Sequence, residues 1–276
     1  MNIESIFIHP IKSCHAIELE QAEVTPKGFA WDRELMIVDH HHKFMTQRDY
    51  PLMAKIQVEL SDDSLSLSIQ DSPIKPFTFK PHLKGKSIPV KIWRSNTIAI
   101  DQGSDVANWL HNALQLPSEF SCRLVRQSPE NIRLVNPNYA RRPEDQVSFA
   151  DGYPFLLTNT ASLAELNRRI KVNNIDGSCE ILMNRFRPNL VIKSDSPFLE
   201  DEWKTIQIGE VSFDVVKPCD RCIITTIDQS TGQRDRLKEP LKTLATFRHQ
   251  SGGILFGQNL IPRNTGVIYK NDSVYC

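Results

Sequence analysis

Cys219 and Cys222, with Asp220 and Arg221 between them, are the residues whose type and spacing could do chemistry. A β-branched run reaches them through Phe213, Val215 and Val216. Pro218 lacks the N–H that a sheet ladder needs, so the strand is predicted to break there. A second β-rich run, Ile223 to Ile227, is predicted to leave as a strand, and Asp228 to Gly232 reads as the next turn. The pattern predicts two thiols on a short loop between two strands, the usual way a rigid scaffold presents a reactive group. Such a pair can be a half-buried structural feature of a turn, a metal site, or a redox dithiol. A zinc site wants four ligands, but Cys14, Cys122, Cys179 and Cys276 are isolated and no paired histidines follow at ligand spacing. A redox dithiol favours a helix start, where the thiolate is stabilised, and the residues after Cys222 are β-branched. Spacing alone leaves the three readings open.

The wording around the thiols is more specific. Lys217-Pro-Cys-Asp-Arg-Cys-Ile-Ile-Thr-Thr-Ile-Asp228, followed by Lys238-Glu-Pro-Leu-Lys-Thr-Leu244 and Phe256-Gly-Gln-Asn259, resembles the core signature of the MOSC family, domains related to the C-terminal part of molybdenum cofactor sulfurase. Pro10-Ile-Lys-Ser13, Trp31-Asp-Arg33, Phe149-Ala-Asp-Gly-Tyr-Pro154 and Phe186-Arg-Pro-Asn189 extend the resemblance nearly end to end. It is most similar to the branch of amidoxime-reducing components and their bacterial relatives that detoxify N-hydroxylated bases.

That resemblance implies a molybdenum cofactor, with the Cys222 thiolate as the metal ligand and catalytic residue. A soft thiolate suits such a metal. Cys219 and Asp220 would stand beside the cofactor. Its phosphate needs cations, and Lys12, Arg33 and Arg187 fit, as a point charge and two planar forks. Ser13, Asp151, Gly152, Asn189 and Asn259 are further candidates for pterin or phosphate hydrogen bonds. Read without the resemblance, Arg187 and Asn189 are a structural turn before a strand. Because the candidates come from both halves of the chain, the cofactor is expected in a cleft between domains. Tyr153 stands where relatives can carry a small residue.

The reaction implied is reductive dehydroxylation of a small N-hydroxylated substrate, with electrons from a separate ferredoxin-like or flavin reductase donor, or from an iron–sulfur domain following Cys276. The alternative is a cofactor or sulfur carrier using Cys222 as acceptor thiol.

Lysine plus arginine equals aspartate plus glutamate, 33 each. Bulk charge therefore favours neither nucleic acid nor an anionic membrane as a partner. No apolar run approaches the ~20 residues of a membrane span. The first residues read as a strand and not as a signal peptide, and scattered cysteines suit a reducing compartment, so a cytoplasmic protein is expected. The fold class expected is mainly β with a few helices (α+β): an N-terminal β-barrel-like domain over 1–126, a linker over 127–145 rich in Pro, Asn and Arg, and a C-terminal MOSC β-barrel domain over 146–276.

Alternation predicts hairpins over 56–69 and 203–216. Asp39 to Lys43, with its three histidines, reads as a hairpin tip whose side chains diverge. The stretch 73–89 reads as irregular loop and edge strand. Ser104 is placed as the cap of a helix to Leu114. Ser162 and Glu165 have capping-box spacing, and Pro240 opens a helix to Arg248.

Overall fold

A computed structural model describes residues 1–173, 180–250 and 252–276. Cys179 lies outside the described residues.

The strand Asn2–Ile8 buries Ile3, Ile6 and Ile8. It pairs antiparallel with Leu190–Lys193 on one side and Ile17–Leu19 on the other. The beginning of the chain therefore completes a sheet built mostly from its second half. Across that sheet the order is Val274–Tyr275, Thr205–Ile208, Val211–Asp220, Gly253–Pro262, Phe155–Asn159, Leu190–Lys193, Asn2–Ile8 and Ile17–Leu19. Phe155–Asn159 and Leu190–Lys193 run parallel, and the helix Thr160–Asn173 lies in the crossover between them. Parallel neighbours require such a crossover. A small sheet of Gly266–Tyr269, Gln21–Thr25 and Gly28–Phe29 ties the two ends of the chain together again.

The remaining strands form two further sheets. Leu35–Asp39, Cys122–Gln127, Ser95–Asp101 and Ser87–Ile92 make one; Ile56–Ser61, Ser64–Ile69 and Phe77–Phe79 make the other. The helix Ser104–Ala113 packs Val106, Trp109 and Leu110 into the core beneath them. In the largest core Phe155 meets Phe29 and Phe213 edge-on, at 4.8 and 5.2 Å between centroids, the arrangement favoured by ring quadrupoles. With three α-helices among the described residues, the fold is mainly β with a few helices, as expected.

Several local expectations are corrected. Pro218 does not end its strand. Val211–Asp220 continues through it with register shifts between Val215 and Lys217 and between Pro218 and Asp220. Bulges accommodate a residue that cannot donate to the ladder. The run Ile223 to Ile227 is no strand. It forms a 3₁₀ turn, Ile223–Thr226, because threonine hydroxyls satisfy local carbonyls: Thr225 Oγ1 donates to Cys222 O at 2.9 Å and Thr226 Oγ1 to Ile223 O at 2.7 Å. Such local bonds compete with a ladder.

The expected capping box is absent too. The Asn159 side-chain oxygen accepts the Ala161 N–H at 3.0 Å, Ser162 turns to Glu200, and Glu165 takes Arg168 and Arg169. Gly103, not Ser104, precedes the earlier helix and offers no side-chain cap. The stretch 73–89, by contrast, is as expected: loop around the edge strand Phe77–Phe79.

Candidate functional site

The thiol segment lies across one mouth of a cleft. Cys219 is the last residue but one of the bulged strand, and Cys222 precedes the 3₁₀ turn in extended conformation. Asn259, on the neighbouring strand, donates from Nδ2 to the carbonyls of Lys217 at 3.1 Å and Pro218 at 3.4 Å. It staples the bulge that aims the thiols. Each sulfur receives one guanidinium N–H: Arg221 Nη1 to Cys219 Sγ at 2.9 Å, Arg48 Nη2 to Cys222 Sγ at 3.1 Å. Both cysteines are half-buried. The Asp220 carboxylate is held by Lys217 Nζ at 2.9 Å.

The floor comes from the first strand's exit and from the turn before Leu190–Lys193. Lys12 is buried, donates from Nζ to Phe149 O at 2.9 Å, and pairs with Asp151. Arg33 spends its fork internally, on Asp32 at 2.6 Å, on Asn189 Oδ1 at 2.9 Å and on Arg187 O at 2.9 Å. Asn189 is consumed as well, accepting from Leu156 N and donating to Phe7 O. Arg33 and Asn189 thus hold the segment that carries Arg187. Arg187 follows the 3₁₀ turn Met183–Phe186 with φ 55°. Ser13 (φ 69°) and Arg33 (φ 51°) share that left-handed region, uncommon for residues other than glycine and often kept where function needs it. Arg187 Nη1 reaches Gln229 Oε1 at 3.4 Å, while its Nη2 is buried with no partner in the protein.

Lys12, Ser13, Arg33, Asp151, Gly152, Arg187, Asn189, Cys219, Asp220, Cys222 and Asn259 all line this one cleft. Every residue singled out in the sequence is brought to it, although Arg33 and Asn189 direct their polar groups mainly into the protein.

Comparison with known proteins shows the family. Residues 1–117 match the MOSC N-terminal beta barrel domain and residues 144–275 the MOSC domain. Mitochondrial amidoxime-reducing component 1 of Mus musculus is 33% identical, over 99% of this chain and 81% of that protein. The chain belongs to the MOSC family. The Homo sapiens protein of the same name is 30% identical over 82% of its length. Molybdenum cofactor sulfurase of Danio rerio is 32% identical over 92% of this chain, which spans only 31% of that longer protein.

The residues of this MOSC cleft fit a phosphate-bearing, metal-carrying cofactor. The unpartnered Arg187 Nη2 asks for an acceptor that the protein does not supply, and buried polar atoms are normally satisfied. The cleft is also crowded with positive charge. Burial, and secondarily Arg33, brings Arg187 down to about 10. Burial pushes Lys12 down to about 8 even though Asp151 opposes the shift. Asp151 itself is held well below the usual carboxylate range: burial would raise it, but the Lys12 ammonium prevails. Among the described residues no three His, Cys, Asp or Glu side chains cluster to hold an ion by themselves.

A pH dependence follows from Lys12. The unfolded lysine keeps its proton to about 10.5 and the folded one only to about 8. Between those values the unfolded chain binds more protons, so stability of the ligand-free protein rises with pH over that window. Anion binding moves the other way, because the ammonium disappears as pH passes 8. Sulfate, whose own charge is constant there, is expected to bind up to about tenfold more weakly at pH 9 than at pH 7 by calorimetry. Equal affinity at both pH values contradicts a role for the Lys12 charge.

Sequence reasoning missed part of the site. Gln47 and Gln229 join their amides at 3.0 and 3.1 Å behind Arg187. Arg48 touches the Cys222 sulfur, and Trp93 Nε1 donates to Asp151 Oδ1 at 3.1 Å. The sequence attaches no role to Gln47, Arg48 or Trp93.

Proposed function

We propose that this MOSC protein is a molybdenum-cofactor-dependent reductase of N-hydroxylated compounds such as amidoximes, hydroxylamines and N-hydroxylated bases. The observation that carries the proposal is a half-exposed thiol, Cys222, sharing one cleft with the buried Lys12 and with Arg187, whose Nη2 is buried and unpaired. The relatives named for amidoxime reduction cover nearly the whole chain.

When bound, the cofactor would supply the two-electron chemistry that removes the hydroxyl oxygen. The chain's own work is binding and tuning. Lys12 and Arg187 bind phosphate. Cys222 would serve as the metal's protein ligand, and Arg48 donates to its sulfur, orienting it. Arg33, Asn189 and Asn259 keep those groups in place. The balanced reaction is R–NH–OH plus two electrons and two protons to R–NH₂ plus water. The electrons come from a ferredoxin-like or flavin reductase partner, or from an iron–sulfur domain joined to the chain.

Benzamidoxime reduction by protein matured in a cofactor-competent host, with a chemically reduced viologen as donor, tests this reading. Formation of benzamidine is the expected result. Molybdenum-loaded protein that forms none, or metal-free protein carrying a persulfide on Cys222, favours the carrier role instead.

A further inference from the structure

A second cavity, of about 800 Å³, adjoins the cofactor cleft and shares Thr46, Arg48, Asp151, Gly152 and Tyr153 with it. That is the size of a small-molecule site, ~300–1,000 Å³, and it opens beside Cys222. Its lining is unusual for a protein surface. Trp93 remains 41% exposed and Tyr139 38% exposed, so both present rings to the cavity instead of burying them. Trp93 is supported by Phe44 at 4.9 Å between centroids and by the Arg48 guanidinium 4.7 Å from its ring. Tyr139 packs on Tyr153 at 6.1 Å.

The backbone holds Trp93 where its side chain is least welcome. Ile92 pairs with Ser95, leaving Trp93 at the first central position of a two-residue hairpin turn with φ 52°. Such positions favour glycine, asparagine or aspartate, and an indole there is strained and gains little burial. A residue that serves neither its turn nor the core is explained by what it stacks against.

The charges lean one way. Lys43, Arg48, Arg94 and Arg133 face only Asp49 and Asp151, and Asp151 is already engaged by Lys12. Arg133 is committed to backbone carbonyls, including Ser148 O at 2.9 Å and Asp151 O at 2.8 Å. Lys43 and Arg94 are exposed at the rim. Aromatic faces with an excess of cations suit a flat ring bearing an anionic group.

We propose that this cavity is the substrate vestibule, and that it selects planar aromatic or heteroaromatic N-hydroxy compounds carrying an anionic substituent. The ring stacks on Trp93, the anion meets Arg94 and Lys43, and the N–OH end is presented toward Cys222. The proposal rests on the reductase reading for its chemistry, but its binding claim is separable.

The test uses amides, which keep the shape of an amidoxime and cannot be reduced. Calorimetry compares 4-carboxybenzamide, 4-(trimethylammonio)benzamide and acetamide on the holoprotein. The carboxylate is expected to bind at least about tenfold more tightly than either of the others, from one stacked ring plus one rim charge pair. Trp93→Ala should lower its affinity by a similar factor, and Arg94→Glu should reverse the order of the two charged probes. Comparable binding of all three probes, or indifference to both substitutions, overturns the proposal. If the probes behave as stated while no N-hydroxy compound is reduced, the vestibule stands and the reductase reading falls. If amidoximes are reduced without these preferences, the reductase reading stands and the vestibule falls.

Discussion

Replacing Cys222 with serine is expected to abolish N-hydroxy reduction, whereas Cys219→Ser should keep activity within a few fold of the parent. Both thiols are half-buried and both accept an N–H from an arginine, so the difference does not come from exposure. It comes from what surrounds each sulfur. Arg221, the donor to Cys219, is tied to Phe186 O at 2.6 Å, which makes Cys219 part of the brace under the loop. Arg48, the donor to Cys222, instead lines both cavities. Loss of a mere outer partner of a metal ligand typically lowers affinity or activity ~10–100-fold. Loss of the ligand itself should exceed that, roughly 100-fold or more in kcat/KM. Equal losses in the two variants would mean that the pair acts as a unit, as a redox dithiol does, and would remove the assignment to Cys222.

Arg187→Ala is expected to have two effects of opposite sign. The ligand-free protein should melt no lower than the parent. Burial and Arg33 both act against this charge, its contact to Gln229 is a long 3.4 Å, and one of its donors is unsatisfied. Removing a charge in that position relieves a desolvation penalty. Cofactor retention should collapse: two charge-assisted hydrogen bonds at roughly 1.5 kcal/mol each amount to about 3 kcal/mol, on the order of 100-fold in affinity. Arg187→Lys should recover only part of this, because an ammonium cannot reproduce a planar fork. Melting curves of the ligand-free protein and cofactor content after purification read the two effects separately. A variant that melts lower yet retains cofactor would make Arg187 a structural brace.

The candidate site was more legible in the sequence than the fold around it. Short segments such as Pro10-Ile-Lys-Ser13 and Phe186-Arg-Pro-Asn189 sit where strands end, and their wording carries the chemistry. The nominated residues accordingly meet in one cleft. Wording does not tell which polar groups are spent internally. Arg33 and Asn189 satisfy each other and the backbone of residue 187, a use visible only when both turns are in place.

Topology was the least legible part. The pairing of Asn2–Ile8 with Leu190–Lys193 joins strands from opposite halves of the chain, and alternation reports a buried face but not a partner. The turn after Cys222 was misread for a local reason: Ile-Ile-Thr-Thr has strand propensity, and threonine hydroxyls redirected it. Trp93 escaped notice because its importance lies in a backbone angle and an exposed ring, neither of which a residue pattern records.

The central claim is that the Cys222 sulfur, with Lys12 and Arg187 in the same cleft, holds a metal-bearing cofactor. Elemental analysis of protein purified from a host that makes the cofactor tests it most directly. About one molybdenum per chain is expected, since one of the cleft's two thiols, Cys222, is assigned as its ligand, with loss of that molybdenum in the Cys222→Ala variant. Protein free of molybdenum from such a host, or the same molybdenum content in the parent and in Cys222→Ala, would contradict it.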